Sequence, residues 1–383
     1  MSVTAAAGFE AAGVEAGLRT GSGPDFALVV NRGPSAAAAA VFTRNRCTAN
    51  PIIWSKQVIR DGVVSAIALN SGGANCYTGM LGFQVTHATA EAVGRELDIS
   101  AGDVLICSTG LIGEQLNTAR LVDGATKAAA ALTASGGTAA ARAIMTTDTH
   151  PKQAERRGDG YTIGGMAKGA GMLAPGLATM LVVLTTDADV EAPQLDTALR
   201  AATRVTFDRL DSDGCMSTND QVTLLASGAS GVTPDPADFT RLLTEVCLDL
   251  ALQLQGDAEG AGHDIAIETR GARSEEEAVA VSRAVARSNL FKAAVFGNDP
   301  NWGRVLAAVG TTDAAFDPFG IDVAMNGVRV CQAGQPDQPR DLVDLTDRAV
   351  SVVIDLHAGG AAATVWTNDL THDYVHENSA YSS

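Results

Sequence analysis

Apolar segments of strand length alternate with longer segments of helical periodicity along most of this 383-residue chain. Residues 64–70 and 104–107 are short apolar runs, and each stops at a cluster of serine, threonine or glycine, as strands that end in turns do. This alternation predicts an α/β or α+β fold with mixed strand connectivity.

The same patterns locate the other elements. Helices are predicted at 84–97, 119–132, 139–145, 194–207 and 239–259. Strands are predicted at 179–185, 221–226, 263–269, 321–326, 328–331, 349–356 and 361–366. Ser274, with Glu277 three residues later, predicts the capped start of another helix. Residues 164–176 are rich in glycine and predict a flexible connection.

The charge of the chain excludes two classes of partner. The formal net charge is -17, and a surface this acidic repels phosphate backbones and anionic lipids. We therefore expect neither a nucleic-acid partner nor a membrane partner.

The cysteines and the first residues indicate the compartment. No two of the six cysteines lie closer than 29 positions, which excludes C-x-x-C patterns and favours buried free thiols in a reducing cytoplasm. The first thirteen residues lack a basic segment followed by an apolar one, so no signal peptide is expected. The sequence predicts a cytoplasmic protein.

Familiar signatures of catalysis and metal binding are missing. The sequence contains neither G-x-S-x-G nor H-E-x-x-H, and the glycine-rich stretch around Lys168 does not follow the phosphate-loop pattern. Only His372 and His376 share helical i, i+4 spacing, which leaves a coordination set incomplete. We expect no metal and no bound cofactor.

One segment, residues 168–185, combines features that suggest a nucleophile. A flexible Gly/Pro stretch ends at Ala178, and a buried strand is predicted to start at Thr179. If the bond before Thr179 breaks, this residue carries both a nucleophilic hydroxyl and its own α-amine as base. A free α-amine has a pKa of about 7.7–8.0, close to working pH. The alternative is that Thr179 only begins a strand, since threonine favours strands.

Nine segments, in this order along nearly the whole chain, resemble the glutamate N-acetyltransferase / ornithine acetyltransferase family of arginine biosynthesis. They are VFTRN (41–45), LNSGGANCYTG (69–79), CSTGLIG (107–113), MTTDT (145–149), GGMAKGAGMLAPGLATML (164–181), DSDGCMSTND (211–220), DAEG (257–260), NDPNWGRVLAAVG (298–310) and ENSAYSS (377–383). Each segment alone is weak evidence, but nine in order are highly specific.

The resemblance implies self-cleavage between Ala178 and Thr179, which gives an α chain of residues 1–178 and a β chain of residues 179–383. It implies a heterotetramer of two chains of each kind. The implied fold is an N-terminal-nucleophile-like layered αββα core with a second, smaller C-terminal α/β domain. The implied reaction moves acetyl from N2-acetyl-L-ornithine to L-glutamate by a ping-pong mechanism through acetyl-Thr179. Family members with one and with two activities exist, and no motif in this sequence decides whether acetyl-CoA is also an acetyl donor.

The resemblance also assigns the site residues. The family's oxyanion hole maps to Thr109 and Gly110, whose alternative interpretation is a plain β-turn. The substrate positions map to Thr146, Lys168, Thr179, Glu259, Asn378 and Ser383. Lys168 and Glu259 suit zwitterionic substrates, although a lysine in a glycine loop and a glutamate at a helix end are usually solvated.

The chain departs from the family pattern at a few positions. Gly262 and His263 stand where Thr and Lys are usual, Gln221 stands where Thr is common, and Ser383 replaces a terminal Thr. The first departure puts the surroundings of Glu259 in doubt. Two other functions stay open on the residues alone: an N-terminal-nucleophile amidase or aminopeptidase, and a non-catalytic amino-acid-binding protein that never cleaves.

Overall fold

The computed structural model describes residues 2–174 and 180–380. The predicted junction at Ala178 and Thr179 and the substrate position Ser383 lie outside the described residues. Within the described part, no helix combines the length and the apolar content that a membrane crossing needs.

Strands and helices are numbered here in chain order. The strands are β1 (Phe9–Val14), β2 (Phe26–Asn31), β3 (Ala37–Phe42), β4 (Ala66–Asn70), β5 (Val104–Ser108), β6 (Lys152–Arg157), β7 (Thr162–Lys168), β8 (Leu181–Thr186), β9 (Gln221–Ala226), β10 (Asp264–Ala272), β11 (Asp322–Met325), β12 (Val328–Gln332), β13 (Gln335–Pro336), β14 (Ala349–Asp355) and β15 (Ala361–Asn368). The helices are α1 (Asn50–Val58), α2 (Gly79–Leu97), α3 (Thr118–Ala130), α4 (Gly137–Ala143), α5 (Ala192–Val205), α6 (Pro236–Gly256), α7 (Glu275–Ala286), α8 (Asn289–Phe296), α9 (Trp302–Val309) and α10 (His372–Ala380).

Two mixed sheets form the larger part of the molecule. The first has the order β1-β2-β4-β5, and its strands are antiparallel except for the parallel pair β4 and β5. The second has the order β3-β9-β8-β7-β6, with β8 and β9 as its parallel pair. Each sheet therefore joins a parallel pair to antiparallel neighbours, as the mixed connectivity predicted.

The two sheets pack face to face between two helical layers. In β2, Val29 faces the second sheet, whereas its neighbour Leu28 faces the cluster formed with α2 and α3. In β8, Val183 faces the first sheet, whereas Leu184 faces the cluster formed with α5 and α6. Because both faces of these strands are covered, their sequences are continuously apolar rather than alternating. The layer order is αββα, as the family resemblance predicted.

A third sheet forms the smaller C-terminal α/β unit. Its order is β13-β12-β11-β14-β10-β15, and α7, α8 and α9 contribute to the apolar cluster on one face. Burial alternates along β14, where Val350 and Val352 are buried and their neighbours Ala349 and Ser351 are exposed. One face of this sheet is therefore open, which explains the period of two in its sequence.

Most predicted elements are present with shifted ends, and some predictions were wrong. The predicted strand 221–226 coincides with β9, whereas the predicted helix 239–259 is α6, which ends at Gly256. The glycine-rich stretch does not begin as a flexible connection, because β7 runs through Gly164 and Gly165. A Cβ at Gly164 would lie 2.2 Å from the Ser2 carbonyl oxygen, so glycine there permits close packing.

The thiol prediction was wrong for two cysteines. All six cysteines are free, but Cys47 and Cys215 are exposed while the other four are buried. The two exposed residues lie in loops, and neither side chain packs into the core that the strands and helices form.

Candidate active site

The site forms where β4 and β5 end and where the chain leaves β7. The parallel strands β4 and β5 end side by side at Asn70 and Ser108, and the next residues are the predicted pair Thr109 and Gly110. In the second sheet Lys168, the last residue of β7, pairs with Leu181 of β8. The segment that carries the predicted cleavage bond therefore joins two adjacent strand ends.

The predicted oxyanion residues lie in a turn that other segments hold in place. The Thr109 N–H donates to the Asn70 carbonyl (2.9 Å), and the Gly73 N–H donates to the Thr109 carbonyl (2.9 Å). Gly110 has φ +128°, and a Cβ there would lie 2.8 Å from the Cα of Gly73. Only glycine fits this position without strain.

This turn offers two donors to a ligand, a hydroxyl and an amide. Because the Thr109 N–H is already paired, its contribution is the hydroxyl, and Gly110 contributes its N–H, which has no acceptor among residues 2–174 and 180–380. Both residues line a cavity of about 190 Å³, together with Met172 and Asn219. The turn therefore presents a hydroxyl and an N–H to this cavity.

Lys168 is buried, with 2% of its surface exposed, so the solvated alternative was wrong. Its ammonium donates to the hydroxyls of Thr109 (3.2 Å) and Thr146 (2.9 Å). Burial lowers the pKa of Lys168, and the nearby Asp148 carboxylate acts against this shift. The structure thus brings a cation against the predicted oxyanion turn and against a second predicted substrate residue.

Asp148 holds two backbone N–H groups close to Lys168, one in the residue that follows it and one in a residue that its ammonium contacts. Its carboxylate accepts from the N–H groups of Thr146 (3.0 Å) and Gly169 (2.7 Å) and from the Lys152 ammonium (2.6 Å). Burial acts to raise the pKa of Asp148, but Lys168 and Lys152 outweigh it and lower that pKa to about 2. Asp148 is therefore a carboxylate at neutral pH.

Lys152 connects this carboxylate to Asp257, the residue that follows α6. Its side chain is fully buried, and its ammonium lies 2.6 Å from Asp148 and 2.5 Å from Asp257. Asp257 in turn accepts from the Thr149 N–H (3.0 Å). Sequence reasoning missed all three of these charged residues, although Asp148 and Asp257 lie within the quoted MTTDT and DAEG segments.

Glu259 lies in the loop that follows α6, and it is half-buried rather than fully solvated. Its carboxylate accepts from the Thr147 hydroxyl (2.8 Å), and its N–H donates to the Ala170 carbonyl (3.0 Å). A Cβ on Gly171 would lie 2.7 Å from this carboxylate, so glycine is needed for the close approach. Glu259 therefore contacts the segment that follows Lys168.

One acid, Asp369, forms hydrogen bonds with both residues that depart from the family pattern, Gly262 and His263. Asp369 accepts from the N–H groups of Gly262 (2.9 Å) and His263 (3.0 Å), and its other oxygen lies 2.6 Å from His263 Nδ1. His263 Nε2 lies 2.9 Å from the Leu345 carbonyl. The loop that carries Glu259 is thus anchored to the end of β15 despite the changed residues.

A second and larger cavity, of about 690 Å³, opens beside Glu259. Thr146, Glu259 and Asn378 line it, and further carboxylates of Asp373 and Glu377 give it an acidic rim. Asn378 lies on α10, and its amide nitrogen donates to the Tyr374 carbonyl (3.0 Å), so its amide oxygen is left for a ligand. The Lys168 ammonium contacts both cavities, because Thr109 lines the smaller one and Thr146 lines the larger one.

Asp220, which sequence reasoning also missed, lies beside the residue that follows Thr179. The Met180 N–H donates to its carboxyl group (3.1 Å). Asp220 is completely buried, and this burial raises its pKa well above the usual range of an aspartate. The site therefore contains a buried acid within one residue of the predicted nucleophile.

Comparison with known proteins gives matches along the whole chain. Residues 10–383 match the model of the ArgJ family. The arginine biosynthesis bifunctional protein ArgJ of Streptomyces avermitilis is 61% identical over 383 residues, and that of Thermobifida fusca is also 61% identical; each match covers all of both chains. A crystal structure of ornithine acetyltransferase from Mycobacterium tuberculosis, complexed with ornithine, is 49% identical and covers 47% of this chain and 96% of that chain, with a TM-score of 0.45.

Proposed function

The chain belongs to the ArgJ family and is an acetyltransferase, and on that premise we propose that it moves acetyl from N2-acetyl-L-ornithine to L-glutamate, releasing L-ornithine and N-acetyl-L-glutamate. The observation that carries the proposal is the buried Lys168 ammonium, which contacts the Thr109 and Thr146 hydroxyls. Full-length relatives that carry the name of an arginine biosynthesis protein support the same pathway.

The proposed mechanism starts with cleavage of the Ala178–Thr179 bond. The Thr179 hydroxyl attacks the Ala178 carbonyl, and the C–N bond breaks, which gives an ester on the hydroxyl and frees the Thr179 amine. Water then hydrolyses this ester, which leaves a carboxylate on Ala178 and restores the Thr179 hydroxyl. In the mature enzyme the hydroxyl attacks the acetyl carbonyl of acetylornithine while the α-amine takes its proton. Ornithine leaves with that proton, and acetyl-Thr179 remains. The glutamate amine then attacks the ester and restores the hydroxyl.

Each tetrahedral intermediate places a negative charge on the former carbonyl oxygen. We assign the Thr109 hydroxyl and the Gly110 N–H as the donors that stabilise this oxygen. Two features of the turn support the assignment. The Lys168 ammonium polarises the Thr109 hydroxyl from a distance of 3.2 Å, and the turn is fixed in advance by Asn70 and Gly73.

We propose that the two charged residues recognise the substrates in turn. Both substrates have an α-carboxylate, which suits the buried Lys168 cation, and only ornithine adds a side-chain ammonium, which suits Glu259. Thr146, Asn378 and Ser383 complete the proposed substrate site together with Thr179. The half-buried position of Glu259 beside the acidic cavity supports its role toward a cation.

The assembly follows from the same proposal. Cleavage gives chains of residues 1–178 and 179–383, and two copies of each form a heterotetramer in the cytoplasm. Acetyl-CoA is a further acetyl donor to be assayed with glutamate as acceptor. No cofactor takes part in the proposed steps.

A denaturing gel and N-terminal sequencing test the cleavage step. The purified protein should give two pieces, and the piece of residues 179–383 should begin Thr-Met-Leu-Val-Val. Thr179→Ala should stay uncut and inactive. A different start site would contradict the assignment of Thr179, and an intact wild-type chain would favour a binding protein that never cleaves.

Product analysis separates the transferase from a hydrolase. With acetylornithine alone, the enzyme should release one equivalent of ornithine and then stop. Added glutamate should restore turnover and yield N-acetylglutamate. Steady release of acetate without glutamate would instead identify an amidase.

A further inference from the structure

One loop, residues 211–220, contacts the chain on both sides of the segment that carries the proposed cleavage bond. On the first side, the Ser212 N–H donates to the Leu173 carbonyl (2.5 Å), and the Leu173 N–H donates to the Asp213 carboxylate (3.1 Å). Both backbone groups of Leu173 are thus held by consecutive residues of the loop.

On the second side, both backbone groups of Met180 are held in the same way at the other end of the loop. The Gln221 N–H donates to the Met180 carbonyl (3.2 Å), and the Met180 N–H donates to the Asp220 carboxyl group (3.1 Å). Leu173 and Met180 are seven residues apart, and so are Asp213 and Asp220. The loop therefore spans the same number of residues as the segment whose ends it holds.

The loop is itself fixed to the rest of the site. The Asn219 amide donates to the carbonyls of Ala74 (2.6 Å) and Ser108 (2.9 Å), and Ser108 directly precedes Thr109. The Thr43 hydroxyl donates to the Ser217 carbonyl (2.7 Å), which connects the loop to the residue that follows β3. The same loop thus sets the position of the oxyanion turn and of both segment ends.

We propose that Asp213 and Asp220 form a two-point clamp that positions the Ala178–Thr179 bond for self-cleavage. The inference rests on the proposed self-cleavage. An intramolecular attack requires the hydroxyl and the carbonyl to stay in a near-attack geometry, and a displacement of about 1 Å can cost about 100-fold in rate. The two carboxyl groups hold Leu173 and Met180, between which the proposed bond lies, through the N–H groups of those residues.

The clamp needs an acceptor oxygen at each end rather than a negative charge. Burial raises the pKa of both Asp213 and Asp220, so neither position favours the ionised form. An asparagine amide oxygen can accept the same N–H group in the same place. Asparagine should therefore preserve the clamp, and alanine should remove it.

The test follows cleavage of newly made full-length protein in a cell-free translation chase on denaturing gels. Asp213→Ala and Asp220→Ala should each slow cleavage at least about tenfold, whereas Asp213→Asn and Asp220→Asn should stay within about threefold of wild type. Asp187→Ala is the matched control, because that buried aspartate also accepts two backbone N–H groups, from Ala7 and Thr162. It should lower the melting temperature without slowing cleavage.

The outcomes separate the clamp from the cleavage proposal. If wild type stays a single band, self-cleavage fails and the clamp fails with it. If wild type is cut and the alanine variants are cut as fast, or no more slowly than Asp187→Ala, only the clamp is overturned. Should Asp220→Ala not fold, Asp213→Ala, at the partly exposed end of the loop, decides the question alone.

Discussion

Two pairs of acids flank the candidate site, and they differ in the cations beside them. On one side, Asp148 and Asp257 share the Lys152 ammonium at 2.6 and 2.5 Å. On the other side, Asp213 and Asp220 accept backbone N–H groups and, within residues 2–174 and 180–380, have no lysine or arginine at ion-pair distance.

The comparison shows that the partner, and not burial alone, sets the charge of an acid. Burial acts to raise the pKa of Asp148 and of Asp220 alike. Two ammonium groups reverse the effect for Asp148 and lower its pKa to about 2, whereas the pKa of Asp220 stays well above the usual range. The surroundings of Asp148 therefore favour the ionised acid, whereas those of Asp220 disfavour it.

The largest expected effect is on the Lys152 side. Lys152→Met should lower the free energy of unfolding by about 3–5 kcal/mol, because it leaves Asp148 and Asp257 buried without their shared cation. The matched control is Lys127→Met, since Lys127 forms an exposed pair with Asp123 at 2.7 Å. That change should cost less than about 1 kcal/mol. Urea-induced unfolding measures both, and equal losses would contradict the comparison.

A second prediction concerns Thr109, whose hydroxyl accepts from Lys168 and which directly follows Ser108, the residue hydrogen-bonded to Asn219. Thr109→Ala should reduce turnover about 100- to 1000-fold, which is about 3–4 kcal/mol, by removing one oxyanion donor. Steady-state kinetics with acetylornithine and glutamate provide the measurement. An unchanged kcat with only a raised KM would show that Thr109 binds substrate and does not stabilise the intermediate.

A third prediction uses Lys168 and Glu259 to separate the two half-reactions. Lys168→Met should weaken both by about 2–5 kcal/mol, because both substrates have an α-carboxylate. Glu259→Gln should chiefly weaken the half-reaction that uses acetylornithine, since only ornithine brings an ammonium. Single-turnover assays of each half-reaction decide this. Near-wild-type rates of both half-reactions in both variants would mean that neither residue binds a charged group of the substrates.

The smallest expected effect is a dependence of stability on pH. The pKa of Asp148 is lower in the folded state than its ordinary value of about 4. Its contribution to the free energy of unfolding is therefore present above pH 4 and is lost as the pH falls toward 2. Asp148→Asn should remove about 2 kcal/mol of this acid-dependent stability.

Asp220→Asn is the matched control for this pH effect. The pKa of Asp220 is raised, so its contribution has the opposite sign: it is present below pH 4 and is lost as the pH rises. Urea unfolding between pH 2 and pH 7 compares the two variants. The same direction of pH dependence in both would contradict the assignment of charge to the two sides.

The sequence patterns by themselves predicted an α/β or α+β fold with mixed connectivity, and the family resemblance predicted the layer order and most of the site residues. Continuous apolar runs predicted the strands of the stacked sheets, because both faces of those strands are covered, and short strand-like runs predicted the strands of the C-terminal sheet. Serine, threonine and glycine at the end of β5 predicted the turn at Thr109 and Gly110. The nine family segments supplied the remaining site residues, of which Thr179 and Ser383 lie outside the described residues.

Only the tertiary structure decided which charges are buried and what they contact. The residues next to Lys168 are glycine, alanine and methionine, which indicate nothing about its state. Its hydroxyl partners lie 59 and 22 positions away, and the carboxylates around Lys152 lie 4 and 105 positions away. The free energy of burying a charge depends on partners that folding brings together, and partners that lie far apart in the chain leave no periodic signal in it.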